Sequence, residues 1–320
     1  MAKPSPASPL LPRLLVLELW GLGDLVLALP FLRAASASYR VTLLAKPHTA
    51  PLLARFAPAV EHLPLNAPWT AFTGKYRLHR WPWRVLLQTR SALRTRHFDL
   101  ALSARPDPRD HLLLALSGAR QQLGFPRKGS GLFLTQPLAL PASPHRAAHW
   151  QTLAAALDLT PASTSTTPSS PTTPPASASA PRGRRIVIHA GAGHPVRMWP
   201  RERFDALATQ LRAQQWEIHF LDTDDADLDG LARQLASADY FIGNDSGPGH
   251  FAAFLGIPTF TIFGPQLPEL FAPQHPQAAW IEGSPCPHKP CFDKCRFAEP
   301  FCIRDISVES VWSRVVPWLK

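Results

Sequence analysis

From Thr160 to Gly183 runs TPASTSTTPSSPTTPPASASAPRG, 24 residues that are Pro, Ser, Thr and Ala apart from the closing Arg-Gly, with no apolar periodicity. Such a tract buries too little to offset the entropy of ordering it, so it reads as an extended or disordered linker through which no core can run. A mucin-like stalk has the same composition, but nothing else in the chain indicates secretion. The 320 residues are therefore expected to fold as two modules, 1–159 and 184–320. Charge divides at the same place. Residues 1–160 carry 19 Lys and Arg against 7 Asp and Glu, and residues 161–320 carry 14 against 16. The excess behind the net charge of +10 thus belongs to the first half, which suggests different partners for the two.

Composition excludes several classes. Hydrophobic residues at 45% and charged residues at 18% suit a folded globular chain. Proline is high at 36 residues, but the 17 glycines have no triplet period, so collagen is excluded. Four cysteines do not make a disulfide scaffold. Near the start, an apolar run from Leu14 to Ala35 follows Lys3 and Arg13, and Ala35-Ser36-Ala37 imitates a signal-peptidase site. Glu18, Gly21, Gly23, Asp24 and Pro30 interrupt that run, so it reads as strand, glycine turn and helix rather than as a membrane span.

Both modules follow this pattern. In the first, Leu14–Leu19, Val41–Ala45 and Phe98–Ser103 read as buried strands, with a helix over Leu25–Ser36. In the second, Arg185–His189, Glu217–Leu221, Tyr240–Gly243 and Thr259–Phe263 read as strands. Helices are expected over Pro200–Gln214, Leu228–Ala236 and His250–Leu255. Strands alternating with helices point to doubly wound α/β sheets, whose ligands sit at the carboxyl ends of the strands.

Three glycine turns carry the chemistry. Gly21-Leu22-Gly23-Asp24 brings backbone N–H groups near a ligand, and Asp24 there is either a helix cap or a general base. A dinucleotide fingerprint would need glycine at position 26, which is Val26, and no acidic ribose contact stands near Thr42 and Leu43, so a nicotinamide oxidoreductase is disfavoured. His189 to Pro200, HAGAGHPVRMWP, offers close backbone approach at Gly191 and Gly193 and a fixed cation, Arg197, which either binds phosphate or is simply solvated. Asn244 to His250, NDSGPGH, places Ser246 and Gly247 at a helix start, where an anion is favoured. Asn244 stands where a hydrolase elbow needs glycine, and the sequon at Asn244-Asp245-Ser246 reads as chance.

In this order the stretches LLVLELWGLGDLVLALPFLRAA, IVIHAGAGHPVRMWPRERFDALATQL and ADYFIGNDSGPGHFAAFLGIPTFTIFGP, with CIRDISVESV near the end, resemble glycosyltransferase family 9, the heptosyltransferases of lipopolysaccharide assembly. The resemblance covers 13–50 and 185–320 well and 51–160 poorly. It implies a GT-B fold, two Rossmann-like domains facing a central cleft, with an N-terminal acceptor domain and a C-terminal nucleotide-sugar donor domain. It implies metal-independent, inverting transfer of a sugar, with Asp24 as base. On the donor side Gly191, Gly193, Arg197, Ser246, Gly247 and His250 match positions around the diphosphate, and Asp245 matches the residue that holds the sugar. Arg197 replaces the lysine often found before Trp-Pro, which keeps the charge but alters the geometry. The connection Leu221–Asp239, with the acidic run Asp222-Thr223-Asp224-Asp225, is shorter than in relatives, where it helps hold the nucleoside.

Two features stand outside the motifs. Residues 75–96 carry seven Lys and Arg and no acid, interleaved with Tyr76, Trp81 and Trp83. This suits an anionic membrane surface or nucleic acid, or is a solvated helix face. The resemblance favours the membrane over nucleic acid. Cys286, Cys291, Cys295 and Cys302 cluster, with His288 as a spare ligand, and admit a structural zinc site, free thiols or a disulfide. The expectation is a cytoplasmic enzyme, peripheral on the inner face of the inner membrane. It would use an ADP-heptose-like donor, a lipid-linked glycan acceptor and no catalytic cofactor. The competing reading is an inactive GT-B binding protein acting at an anionic membrane or on nucleic acid.

Overall fold

The computed structural model describes residues 11–71, 74–160, 183–221 and 228–319. The expected linker and the run Asp222-Thr223-Asp224-Asp225 lie outside the described residues, apart from Thr160 and Gly183. By packing, the chain divides into two compact units. One comprises Met1–Trp20, Ala28–Ala142 and Ala148–Thr164, the other Gly21–Leu27, Ser143–Ala147 and Ser165–Lys320.

The first unit is built on a parallel sheet of β1 (Arg13–Glu18), β2 (Arg40–Ala45), β3 (Glu61–Pro64), β4 (Leu100–Ser103), β5 (Gln121–Gly124) and β6 (Gln136–Pro137), in the order β3-β2-β1-β4-β5-β6. That is the doubly wound order. Leu14 to Leu17 are buried on both faces of β1, which is why the strand reads as an unbroken apolar run. Leu15, Leu17, Leu44, Trp69, Phe98 and Leu114 fill one side of this core.

The second unit holds β7 (Arg185–His189), β8 (Glu217–Phe220), β9 (Tyr240–Asn244), β10 (Thr259–Phe263) and β11 (Ala279–Glu282), ordered β11-β10-β9-β7-β8 and again parallel. Helices Arg201–Ala213 and Val308–Trp318 share a core with it, where Trp199 is fully buried and meets Phe204 edge-on. The Trp199 indole donates to the Ile306 carbonyl at 2.8 Å, so its one polar group is satisfied in an apolar setting. Among the described residues no helix is long and apolar enough to cross a membrane.

Two helices begin earlier than the sequence suggests, at Leu22 rather than Leu25 and at Gly247 rather than His250. Glycine is a poor helix former, so Gly23, Gly247 and Gly249 were expected to lie in turns. The structure gives Gly23 and Gly247 another reason. A Cβ on Gly23 would lie 2.7 Å from Cδ2 of His250, and one on Gly247 would lie 2.8 Å from Cβ of Leu22. Glycine at both places lets the two helix starts close on each other. Gly21–Leu27 accordingly groups with the second unit, whereas a division at 160–183 assigns it to the first.

Candidate active site

The residues of the three glycine turns are brought together in the second unit. Asp24 lies in the first turn of helix Leu22–Ala35, not at its cap position. Its Oδ2 accepts the Gly21 N–H at 3.2 Å, the backward reach of a capping box. The sequence posed cap and base as alternatives for Asp24. The first-turn contact uses one oxygen and leaves the acid a member of a larger charged group.

That group is organised by Asn244, the last residue of β9. Its Oδ1 accepts the Trp199 N–H at 2.9 Å, and its Nδ2 donates to the carbonyls of Ala190 and Gly191 at 2.8 and 3.3 Å. One amide thereby ties the Gly191–Gly193 loop, the turn before Pro200 and the NDSGPGH turn. Its 1% exposure also leaves no room for a glycan at the sequon in the folded chain. Sequence reasoning assigned Asn244 no role here. The signal was an amide directly after a buried strand.

Arg197 reaches Asp245 from this frame. Its Nη1 donates to Asp245 Oδ2 at 3.3 Å, while Nε and Nη2 donate to Oδ1 and Oδ2 of Asp293 at 2.5 and 2.7 Å. Asp293 is a site residue the sequence reading missed, because it sits 96 positions away among the cysteines. Burial works against the Arg197 charge, but the Asp293 bond and the charges of Asp245, Asp293 and Asp24 outweigh it and raise its pKa. Asp245 is pushed up to about 6, chiefly by burial, with Arg197 opposing and Asp293 and Asp24 adding to the rise.

Two histidines face the same region. His189, at the end of β7, pairs through Nδ1 with the Ser246 hydroxyl at 3.0 Å. Burial drives it down to about 4, so it is neutral at pH 7. His250 also falls to about 4, first through burial, with Asp24 opposing and His145 and Arg197 adding. Its buried Nδ1 has no hydrogen-bond partner among the described residues. Ser246 is the N-cap of helix Gly247–Phe254, without a side-chain cap bond because its hydroxyl serves His189. The arrangement joins a carboxylate, a guanidinium, a helix N-terminus and a neutral imidazole. It can hold an anion beside a base.

The four cysteines line one cavity of about 10 Å³, with His288, Lys289, Arg296, Phe297 and Phe301 among its other walls. All are free thiols. Among the described residues no group of three or more His, Cys, Asp or Glu is placed to hold a metal ion. Burial pushes the Cys302 thiol up to about 11 and also raises that of Cys291. Zinc, free thiols and a disulfide are the three states the sequence admits for this cluster, and in the structure the four cysteines stand as free thiols.

In the first unit another acid is deeply buried. Asp110 accepts the indole N–H groups of Trp20 at 3.0 Å and Trp69 at 2.8 Å. Arg105 lies over the Trp20 ring at 4.7 Å. Burial, joined by the charge of Asp107, raises its carboxyl to about 6 against the pull of both indoles and Arg105. Trp20 is thus fastened immediately before the Gly21 turn, and no motif announced it. In the same unit helix Trp83–Arg94 covers most of the basic segment.

Comparison with known proteins gives these observations a family. The model of glycosyltransferase family 9 (heptosyltransferase) matches residues 86–227 and 223–301, more than half of the chain. Its span does not reach the Gly21–Asp24 turn. Comparison with curated protein sequences gives no match. Among solved structures the chain is similar to ADP-heptose lipopolysaccharide heptosyltransferase II of E. coli, with TM-score 0.66 and 19% identity over 96% of this chain and 98% of that one. It is similar to E. coli heptosyltransferase WaaC with ADP, with TM-score 0.69 and 16% identity over 96% and 99%. It is also similar to a glycosyltransferase family 9 protein of Veillonella parvula, with TM-score 0.70 and 18% identity over 98% of each. These likenesses establish the GT-B fold for the two parallel α/β units. The family-model match carries the assignment: the chain belongs to glycosyltransferase family 9 (heptosyltransferase) and is a glycosyltransferase.

Proposed function

We propose that the enzyme transfers a sugar from an ADP-heptose-like donor to a lipid-linked, lipopolysaccharide-type glycan, with inversion and without a metal ion. The observation that carries this reading is the cluster in which Arg197 bonds Asp245 at 3.3 Å, with the Asp24 charge acting on both and on the neutral His250. It supplies a base and an anion clamp in one place. The ADP and ADP-2-deoxy-2-fluoro heptose complexes of E. coli heptosyltransferase WaaC support the choice of nucleotide and sugar.

In this mechanism the Asp24 carboxylate takes the proton of the acceptor hydroxyl as its oxygen bonds to the anomeric carbon. The bond from that carbon to the diphosphate breaks on the opposite face, and its electron pair leaves on the phosphate oxygen. Arg197 meets the charge that develops there. The backbone N–H groups of Ser246 and Gly247 share it, with the helix start behind them, and neutral His250 can donate one hydrogen bond. Gly191 and Gly193 let the backbone approach the diphosphate. Asp245 receives hydroxyls of the sugar.

Thermal unfolding with a panel of nucleoside diphosphates and nucleotide sugars tests the donor. A selective rise of several degrees with ADP-heptose, lost in Asp245→Ala, is expected. No rise with any member of the panel would end this reading.

We also propose that the enzyme works peripherally at the cytoplasmic face of an anionic inner membrane. Tyr76, Leu78, Trp83, Val85 and Leu87 are exposed among exposed Arg77, Arg80, Arg84 and Arg94, the mixture that lipid headgroups recruit. Co-sedimentation with vesicles should depend on anionic lipid and fall with salt, and independence of both refutes it.

A further inference from the structure

Asp293 belongs to no motif, yet it makes the firmest polar contact of the site. Phe292 and Asp293 hold positive φ angles of 49° and 68° in succession. Non-glycine residues rarely adopt this left-handed conformation, and two in a row persist only where the surroundings impose it. What the turn delivers is a two-point contact with Arg197 on Nε and Nη2. Such a fork fixes the plane of a guanidinium as a single bond cannot. With the plane fixed, only Nη1 is turned to Asp245, at 3.3 Å. The pair is well covered: the side chains of Arg197 and Asp293 are 25% and 12% exposed, and that of Asp245 is 5% exposed.

We propose that Asp293 is a positioning residue of the donor site, which holds the Arg197 guanidinium off full engagement with Asp245 and presents it to the diphosphate. This rests on the reading of Arg197 as a diphosphate ligand. Without Asp293, the Arg197 fork would close on Asp245, and both groups would be withdrawn from the donor. The cysteine-rich segment would then serve the site through this carboxylate rather than through a metal.

The variant Asp293→Asn keeps the size of the side chain and removes its charge. The charged groups facing Asp245 are Arg197, Asp293 and Asp24. Removing one acid and freeing the arginine both favour ionised Asp245. In the full chain, with its aspartates labelled with carbon-13, the Asp245 carboxyl should titrate about half a pH unit lower or more in the variant. ADP, followed by calorimetry, should bind about tenfold more weakly. With Arg197→Lys in place, which cannot donate the two-point fork, Asp293→Asn should bring no further loss.

A carboxyl titration that stays or rises, or ADP affinity that is unchanged or tighter, overturns the proposal. If the wild type does not bind ADP, the donor reading fails, while the titration still decides whether Asp293 sets the Arg197–Asp245 arrangement. If Asp293→Asn does not fold, Arg197→Lys breaks the same fork from the other side. It must then weaken ADP alone for the proposal to stand.

Discussion

Asp110 in the first unit and Asp245 in the second are both buried, and burial raises both carboxyls to about 6. Their partners differ. Asp110 is held by two neutral indoles, one on each oxygen. Asp245 shares one guanidinium with a second acid. Neutral donors satisfy a buried carboxylate with nothing left over, and the result is a fixed anchor for Trp20. A shared cation leaves competition in place, so an incoming anion can redistribute the contacts. The same energetic problem is solved once for stability and once for exchange.

The largest expected effect separates chemistry from folding. Asp24→Asn keeps an oxygen for the Gly21 N–H but cannot take a proton, so sugar transfer should fall about 10²- to 10⁴-fold while the unfolding midpoint hardly moves. A variant that transfers normally would remove Asp24 as the base. Next, Asp110→Ala strands two indole donors and should cost about 2–4 kcal/mol in urea unfolding. Asp245→Ala should cost less, because Arg197 keeps Asp293. Equal losses would break the contrast between the two acids. Gly23→Ala places a methyl against the His250 ring and should destabilise by about 1–3 kcal/mol.

The smallest effect is a change of slope with pH. His189 and His250 are lowered from 6.5 to about 4, so their contribution to stability is present above 6.5 and lost as pH falls through 4. Asp245 is raised from 3.8 to about 6, so its contribution is present below 3.8 and lost as pH rises through 6. His189→Gln should therefore flatten the rise of stability between pH 4 and 6.5, and Asp245→Asn should steepen it, each by on the order of 1–2 kcal/mol. Slopes that move in the same direction would contradict these assignments.

The strands that position the site were legible because each is buried on both faces. Ile186 to Ile188 and Tyr240 to Ile242 read as unbroken apolar runs. Strands β3, β5 and β11, written EHLP, QQLG and AWIE, were missed because they are short and, in β3 and β11, half exposed. Asp24, Arg197, Asp245 and His250, which the structure brings together, lie in glycine turns that drew attention to them, and the roles expected of Asp245 and His250 came from the family resemblance. Asp293 and Asp110 were not, since the partner of Asp293 lies 96 positions away and those of Asp110 lie 90 and 41 away, and each pairing comes from tertiary packing alone. The helix starts were misjudged for a related reason. Glycine was read as turn chemistry, whereas Gly23 and Gly247 answer to side chains elsewhere in the sequence.

The second cluster sets three carboxylates, Asp24, Asp245 and Asp293, against the single guanidinium of Arg197. A further negative charge seated there increases the proton affinity of Asp245, which already lies near neutrality. Seating the proposed diphosphate there should therefore draw a fraction of a proton from the buffer. The heat of binding will depend on the buffer's own ionisation enthalpy, and affinity will decline as the medium becomes more alkaline. On the proposed donor reading, hydronium would act in this way as a co-ligand of the diphosphate.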